Sequence, residues 1–313
     1  MKRILCTTQL DHLPEVEQFL RANAELIIKV QPTMDELMSL IGSSHALVTN
    51  ISQKITGPIM DAAQDLKIIS TPSTGTDHID LDAAGQRGII VQSLKDDYDV
   101  LSQIPSTAEH AFLLMLSCMR HLPASFEHVK KGGWDRDLFR GYQAFDKTVG
   151  IVGYGRLGEM FSRLAKGFGM HVVACDPHRK IDDPWVTQLD FDALLKASDV
   201  VTIHVHLTPD TKHMFDADAF SKMKDGAYFI NTSRGGLVSE SALLNALEMK
   251  KLRAAGLDVL ENELSGDLSA DPLIAYSREH SNLIITPHLG GCNADAQRIV
   301  FMHTAEKLIR ALT

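Results

Sequence analysis

The sequence predicts an α/β protein of two doubly wound parallel-sheet domains, on three observations. Short β-rich runs alternate with amphipathic helical stretches along most of the chain, a pattern that places parallel strands between layers of helix. The length, 313 residues, exceeds what one hydrophobic core usually serves. A glycine-rich strand–turn–helix, "VGIVGYGRLGEMFSRLAKGFGMHVVACDP", begins a second alternating series at residue 149, after a complete first one.

In the first series the strands read "RILCT", "LIIKV", "ALVTN", "KIIST" and "GIIVQ", separated by "LPEVEQFLRAN", "TMDELMSLIG" and "GPIMDAAQD". The polar "SLKDDYDVLSQIPSTAEH" then reads as a linker. "AEHAFLLMLSCMRHL" is apolar nearly all round and should be a buried helix, partly covered by a second subunit. His110 within it is expected to be a hydrogen-bonded core or interface residue. The second series runs "KTVGIV", "HVVACD", "DVVTIHV", "GAYFINT", "AAGLDV" and "NLIITPH", and "GGCNADAQRIVFMHTAEKLIRAL" closes the chain with a helical period.

Bulk properties exclude several classes. A hydrophobic content of 44% with 23% charged residues is ordinary for a soluble globular chain. The net charge of −9 argues against nucleic acid, which needs clustered Lys and Arg. No stretch approaches the length of a membrane span. "MKRILCTTQL" turns polar too soon for a signal peptide, and Cys6, Cys118, Cys175 and Cys292 lack paired metal-ligand spacing. A reduced, cytoplasmic protein is expected.

In "GYGRLG", Gly153, Gly155 and Gly158 complete G-x-G-x-x-G directly after a strand and at a helix start. The first glycine permits the tight turn, the second lets backbone approach a pyrophosphate, and the third lets helix and strand pack closely. The helix N-terminus adds free N–H groups and partial positive charge for the phosphates. Asp176 stands at the end of the next strand, where a carboxylate accepts from both ribose hydroxyls and repels the additional phosphate of NADP. NAD is therefore the expected cofactor, although Arg179 is of the type that can hold such a phosphate. A turn needed only for packing is the competing reading of the glycines.

Three later segments, "INTSRGGLV", "AAGLDVLENE" and "ITPHLGG", place polar residues just after apolar strands, at the strand ends where parallel sheets bind ligands. Arg234, Asp258, Glu263 and His288 should converge there. With "GYGRLG" and "LTPDTKHMF", in this order and over essentially the whole chain, they resemble the D-isomer-specific 2-hydroxyacid dehydrogenases. The resemblance implies a dinucleotide-binding (Rossmann) domain inserted in a flavodoxin-like substrate domain. The expected boundaries are 1–98 plus 289–313 for the substrate domain and 99–288 for the cofactor domain. It further implies that Arg234 binds the carboxylate and carbonyl of a small 2-hydroxy or 2-oxo acid, and that His288 is the acid/base paired with Glu263. By the same likeness Asp258 holds the nicotinamide end, and Arg156, Leu157 and Thr208 line the cofactor. Thr74 and Gly75, in "STGTDHID", lie by the substrate carboxylate. Two crossings between the domains suit a hinge that closes over substrate.

The chemistry agrees. A planar guanidinium holds a carboxylate and polarises a carbonyl better than lysine does, and histidine is the natural proton donor near neutral pH. A salt-bridging Arg234 and a satisfied strand-end His288 are the structural alternatives. The sequence departs from the family at His206, where proline is usual; the resulting H-x-H with His204 lacks a third ligand, and no metal is expected. Asn50 replaces the arginine usual in phosphoglycerate dehydrogenases, which counts against a phosphorylated substrate. Asp96, Asp97 and Asp99 form either a solvated face or a charge that disfavours a second anionic group. The expectation is an NAD-dependent dehydrogenase acting as a homodimer. The alternatives are a non-catalytic NAD-sensing protein of the corepressor type and a formate- or phosphite-type dehydrogenase.

Overall fold

The computed structural model describes residues 1–264 and 267–313. The chain forms two compact units, Met1–Ile104 with Asn293–Thr313, and Pro105–Cys292.

In the first unit the strands are β1 (Arg3–Cys6), β2 (Glu25–Ile28), β3 (Ala46–Val48), β4 (Ile68–Ser70) and β5 (Ile90–Gln92). All pair in parallel, in the order β2-β1-β3-β4-β5, the flavodoxin-like arrangement. Because neighbouring side chains on a strand point to opposite faces, Ile4 and Cys6 join one core while Leu5 joins the other. The first core includes Val16 and Leu20 of helix Pro14–Asn23 and Val300, Phe301 and Leu308 of the C-terminal helix Ala294–Leu312. The second is closed by Leu37, Ile41 and Ile59.

The junctions fall at 104/105 and 292/293, not at the expected 98/99 and 288/289. The supposed linker is part of the first unit, because Leu94, Leu101 and Ile104 are buried in its core. Asp97 also accepts from Lys307 Nζ of the C-terminal helix at 2.8 Å, and Lys307 bonds the Ser93 carbonyl at 2.9 Å. The Asp97 carboxylate therefore serves this fold, while Asp96 and Asp99 remain exposed.

The second unit contains β6 (Thr148–Val152), β7 (His171–Cys175), β8 (Val186–Gln188), β9 (Val200–Ile203), β10 (Ala227–Asn231), β11 (Leu252–Leu257) and β12 (Leu283–Ile285). Their order is β12-β11-β10-β9-β6-β7-β8, all parallel, with the chain reversing direction across the sheet between β6 and β9. That reversal is the switch point where such sheets bind dinucleotides. The short edge strand β8 went unread because "VTQ" carries no apolar run.

One face of this sheet packs Phe229 against Phe215 and Phe220, with ring centroids 5.0 and 5.1 Å apart. The other packs Tyr228, Ile230 and Ala254 against helix Ser106–Met119, through Ala108, Ala111, Phe112 and Met115. Helix Ser106–Met119 is thus buried mainly on its own sheet, leaving Leu113 exposed. Burial pushes the Cys118 thiol up to about 12, consistent with an inert core residue. Among the described residues no helix is long and apolar enough to cross a membrane.

Candidate active site

The glycine turn and Asp176 meet at the carboxyl end of β6, whereas Thr208 follows β9 and Asp258 follows β11. Gly153 has φ +89°, and a Cβ there would lie 2.5 Å from the His204 carbonyl oxygen. Side chains are excluded on both counts. A Cβ on Gly158 would strike the Gly153 carbonyl oxygen, so this glycine sets how closely helix Arg156–Gly167 approaches its strand. Gly155 differs: a Cβ on it would meet nothing within 4 Å. Open space therefore stands over an exposed backbone at the N-terminus of a helix three turns long, as a bound pyrophosphate requires. Leu157 packs partly into the core, and burial pulls the Arg156 guanidinium below its ordinary pKa.

Asp176 closes this turn. Its two oxygens accept the Tyr154 and His178 amides, each at 2.9 Å, and each keeps a lone pair for a hydroxyl. Arg179 is engaged: it donates to the Tyr154 carbonyl at 3.0 Å and to Glu159 at 3.1 Å, so an opposing charge sits beside it. Thr208 lies in an exposed turn closed by Thr211, whose hydroxyl accepts the Thr208 amide at 2.8 Å. These residues fit a dinucleotide.

A second constellation lies beyond β10, β11 and β12. Asn231, buried at the end of β10, donates to the Arg234 carbonyl at 2.8 Å and accepts the Ser233 amide at 2.9 Å. That bracket fixes the turn carrying Arg234, whose guanidinium donates to the Ser233 carbonyl. A Cβ on the next residue, Gly235, would collide with the backbone of Leu260 and Glu261, so the Arg234 turn lies directly on the segment leading to Glu263. That segment is further held by Glu240, which accepts the Glu261 amide at 2.8 Å. Burial holds the Glu240 carboxyl above its ordinary pKa.

Glu263 Oε1 and His288 Nδ1 are 2.8 Å apart, and Glu263 Oε2 accepts the Leu260 amide at 3.2 Å. A carboxylate can only accept, so Nδ1 donates and Nε2 is the nitrogen left to take up or deliver a proton. His288 has φ +55°, a left-handed conformation uncommon outside glycine.

Asp258 explains how this is sustained. It is 1% exposed, and its carboxylate accepts the Thr286 hydroxyl at 2.6 Å and the Leu289 and Gly290 amides at 2.7 and 2.8 Å. Its backbone carbonyl takes the His288 amide at 2.9 Å. Burial alone would raise its carboxyl, yet His110, Thr286 and the two amides together hold it below the usual range.

Thr74 and Gly75 belong to the other unit, in the loop after β4, where Ser73 Oγ donates to the Gly75 carbonyl at 2.7 Å. His204 lies against the core of the second unit. Its ring packs on Phe161 and bonds Thr202 at 3.1 Å, and burial pushes it down to about 3. No group of three His, Cys, Asp or Glu suited to a metal occurs among the described residues. Sequence reasoning missed Asn231, Thr286 and Glu240; the only signal of the first two is a polar residue at the end of, or just past, an apolar strand, and Glu240 opens helix Glu240–Glu248.

Comparisons with known proteins complete the description. Residues 112–290 match the family described as D-isomer specific 2-hydroxyacid dehydrogenase, NAD binding domain. The chain is 37% identical over 278 residues to a hydroxypyruvate reductase of Thermotoga maritima, which spans 89% of this chain and 88% of that protein. It is 34% identical over 316 residues to a D-3-phosphoglycerate dehydrogenase of Methanocaldococcus jannaschii, matching 100% of this chain but only 58% of that longer relative. A D-lactate dehydrogenase of Aquifex aeolicus, solved in complex with NAD and lactic acid, aligns with a TM-score of 0.86 at 28% identity. That alignment covers 99% of this chain and 95% of the other.

Proposed function

This chain belongs to the D-isomer-specific 2-hydroxyacid dehydrogenases, and on that premise we propose that it transfers a hydride between NAD and C2 of a small, unphosphorylated 2-hydroxy or 2-oxo acid. The observation that carries the reading is the 2.8 Å contact of His288 Nδ1 with Glu263 on a backbone held in place by Asp258. Such an investment orients an imidazole rather than merely satisfying it.

When bound, NADH supplies the hydride. The chain's own residues do the rest. Arg234 grips the carboxylate and polarises the carbonyl, His288 Nε2 delivers the proton to its oxygen, and Glu263 holds Nδ1 and stabilises the imidazolium. In the oxidative direction Nε2 accepts that proton. Gly155 and the helix N-terminus at Arg156 and Leu157 take the pyrophosphate, Gly153 and Gly158 shape the turn and seat the helix, and Asp176 takes the ribose hydroxyls; Thr208 and Asp258 stand on the cofactor side. Asp176, with Arg179 drawn to Glu159, supports NAD over NADP. Thr74 and Gly75 are assigned to the substrate carboxylate on family likeness.

An unphosphorylated acid is favoured by Asn50, whose side-chain oxygen accepts the Ser52 amide at 3.0 Å and brings no positive charge. The working assembly is a homodimer. The deciding experiment follows NADH oxidation by absorbance against a panel of 2-oxo acids, with NADPH in parallel. Turnover with an unphosphorylated acid, faster with NADH than with NADPH, is the expected result. A protein that binds NADH yet oxidises it with none of the panel would overturn the proposal.

A further inference from the structure

His110 lies on the first turns of helix Ser106–Met119, far in sequence from every residue assigned above. Its side chain is 13% exposed, and its Nε2 sits 2.9 Å from Thr286 Oγ1 and 3.2 Å from Asp258 Oδ1. Thr286 has one hydroxyl proton, and the 2.6 Å contact with the Asp258 carboxylate uses it. Both neighbours of His110 are therefore acceptors toward it, and Nε2 must carry a proton and donate. One helical turn earlier, Thr107 packs on Gly290, where an added Cβ would lie 3.0 Å from its methyl group. The same helix face thus meets the loop on both sides of His288, at Thr286 and at Gly290.

We propose that His110 is a positioning residue for the proton-transferring His288, clamping Thr286 and Asp258 by an Nε2–H donor so that the 286–290 loop keeps its left-handed turn. This rests on the assignment of His288 and Glu263 as the acid/base pair. Without the donor, Thr286 and Asp258 lose a buried partner, and the loop they hold is free to drift from Glu263. Small displacements of a reacting group are costly in rate while leaving binding largely intact.

The test compares His110→Phe, His110→Gln and His110→Asn with His288→Ala, measuring kcat, KM for the best 2-oxo acid and NADH affinity by fluorescence. Glutamine places an N–H donor near the position of Nε2, whereas asparagine places it near Nδ1. His110→Phe should lower kcat about tenfold or more with KM and NADH affinity nearly unchanged. His110→Gln should restore most of the rate and His110→Asn should not. Should the phenylalanine variant not fold, the Gln–Asn pair alone decides, and equal rates for the two overturn the proposal. A wild-type kcat in His110→Phe, or a loss that glutamine does not repair, overturns it as well. Near-normal turnover of His288→Ala would instead sink the acid/base assignment, so the two failures are distinguishable.

Discussion

At the scale of one residue, the proposed chemistry centres on His288. A non-glycine residue in left-handed backbone costs about 1–2 kcal/mol, and the Asp258 bonds to the Leu289 and Gly290 amides offset that cost. His288→Ala should therefore cut turnover by about two to four orders of magnitude while leaving NAD binding nearly intact, as steady-state rates and a fluorescence titration would show. Asp176 bonds the glycine turn through the Tyr154 amide and, in the proposed reading, also takes the ribose hydroxyls. Asp176→Ala should weaken NADH and narrow the preference over NADPH; unchanged relative affinities for the two would refute the ribose assignment. Both residues stand out in the sequence because each closely follows a strand within a recognisable motif. Asp258 was legible only as an acid near the cofactor. That its carboxylate is consumed by four of the protein's own donors follows from contacts with residues some thirty positions ahead and nearly a hundred and fifty behind.

Among elements, the segment 93–104 departs most from its sequence reading. Its polarity suggests a linker, yet Leu94, Leu101 and Ile104 flank the acids and are buried in one core with the C-terminal helix. Asp97 anchors it. Burial opposes the Asp97 charge, but Lys307 and His303 prevail and hold its carboxyl below the ordinary aspartate value. The folded chain thus binds this proton less readily than the unfolded chain. The stabilisation is fully present above the ordinary aspartate range and is lost as the pH falls through the depressed folded value. Asp97→Asn should lower stability near neutral pH by about 1–3 kcal/mol and flatten the acid limb of a Tm-versus-pH curve. An unchanged acid limb would mean that the ion pair contributes nothing. Strands were read far better than this segment, because a buried parallel strand must be apolar whatever surrounds it; β8 escaped notice since an edge strand need not be.

For the whole molecule, the second unit exposes a run of large apolar side chains just past helix Ser106–Met119. Phe126, Val129, Trp134, Leu138 and Phe145 are all exposed there, Trp134 by 90%. Exposed apolar side chains so closely spaced in the chain suit an interaction surface, and a second copy of the chain is the proposed occupant. Light scattering should give a dimer, and Trp134→Glu combined with Phe126→Glu should shift it to monomer; a wild-type monomer at micromolar concentration would refute this. By itself the sequence determined the fold class and the glycine turn with its acid, and it marked Arg234, Glu263 and His288 as the candidates, because those depend on periodicity and short motifs. Tertiary structure alone decided where the units divide, which acids are spent on structure, and that His110 bonds the loop carrying His288. Those outcomes depend on pairings between distant segments, and a chain's local pattern holds no record of its distant partners.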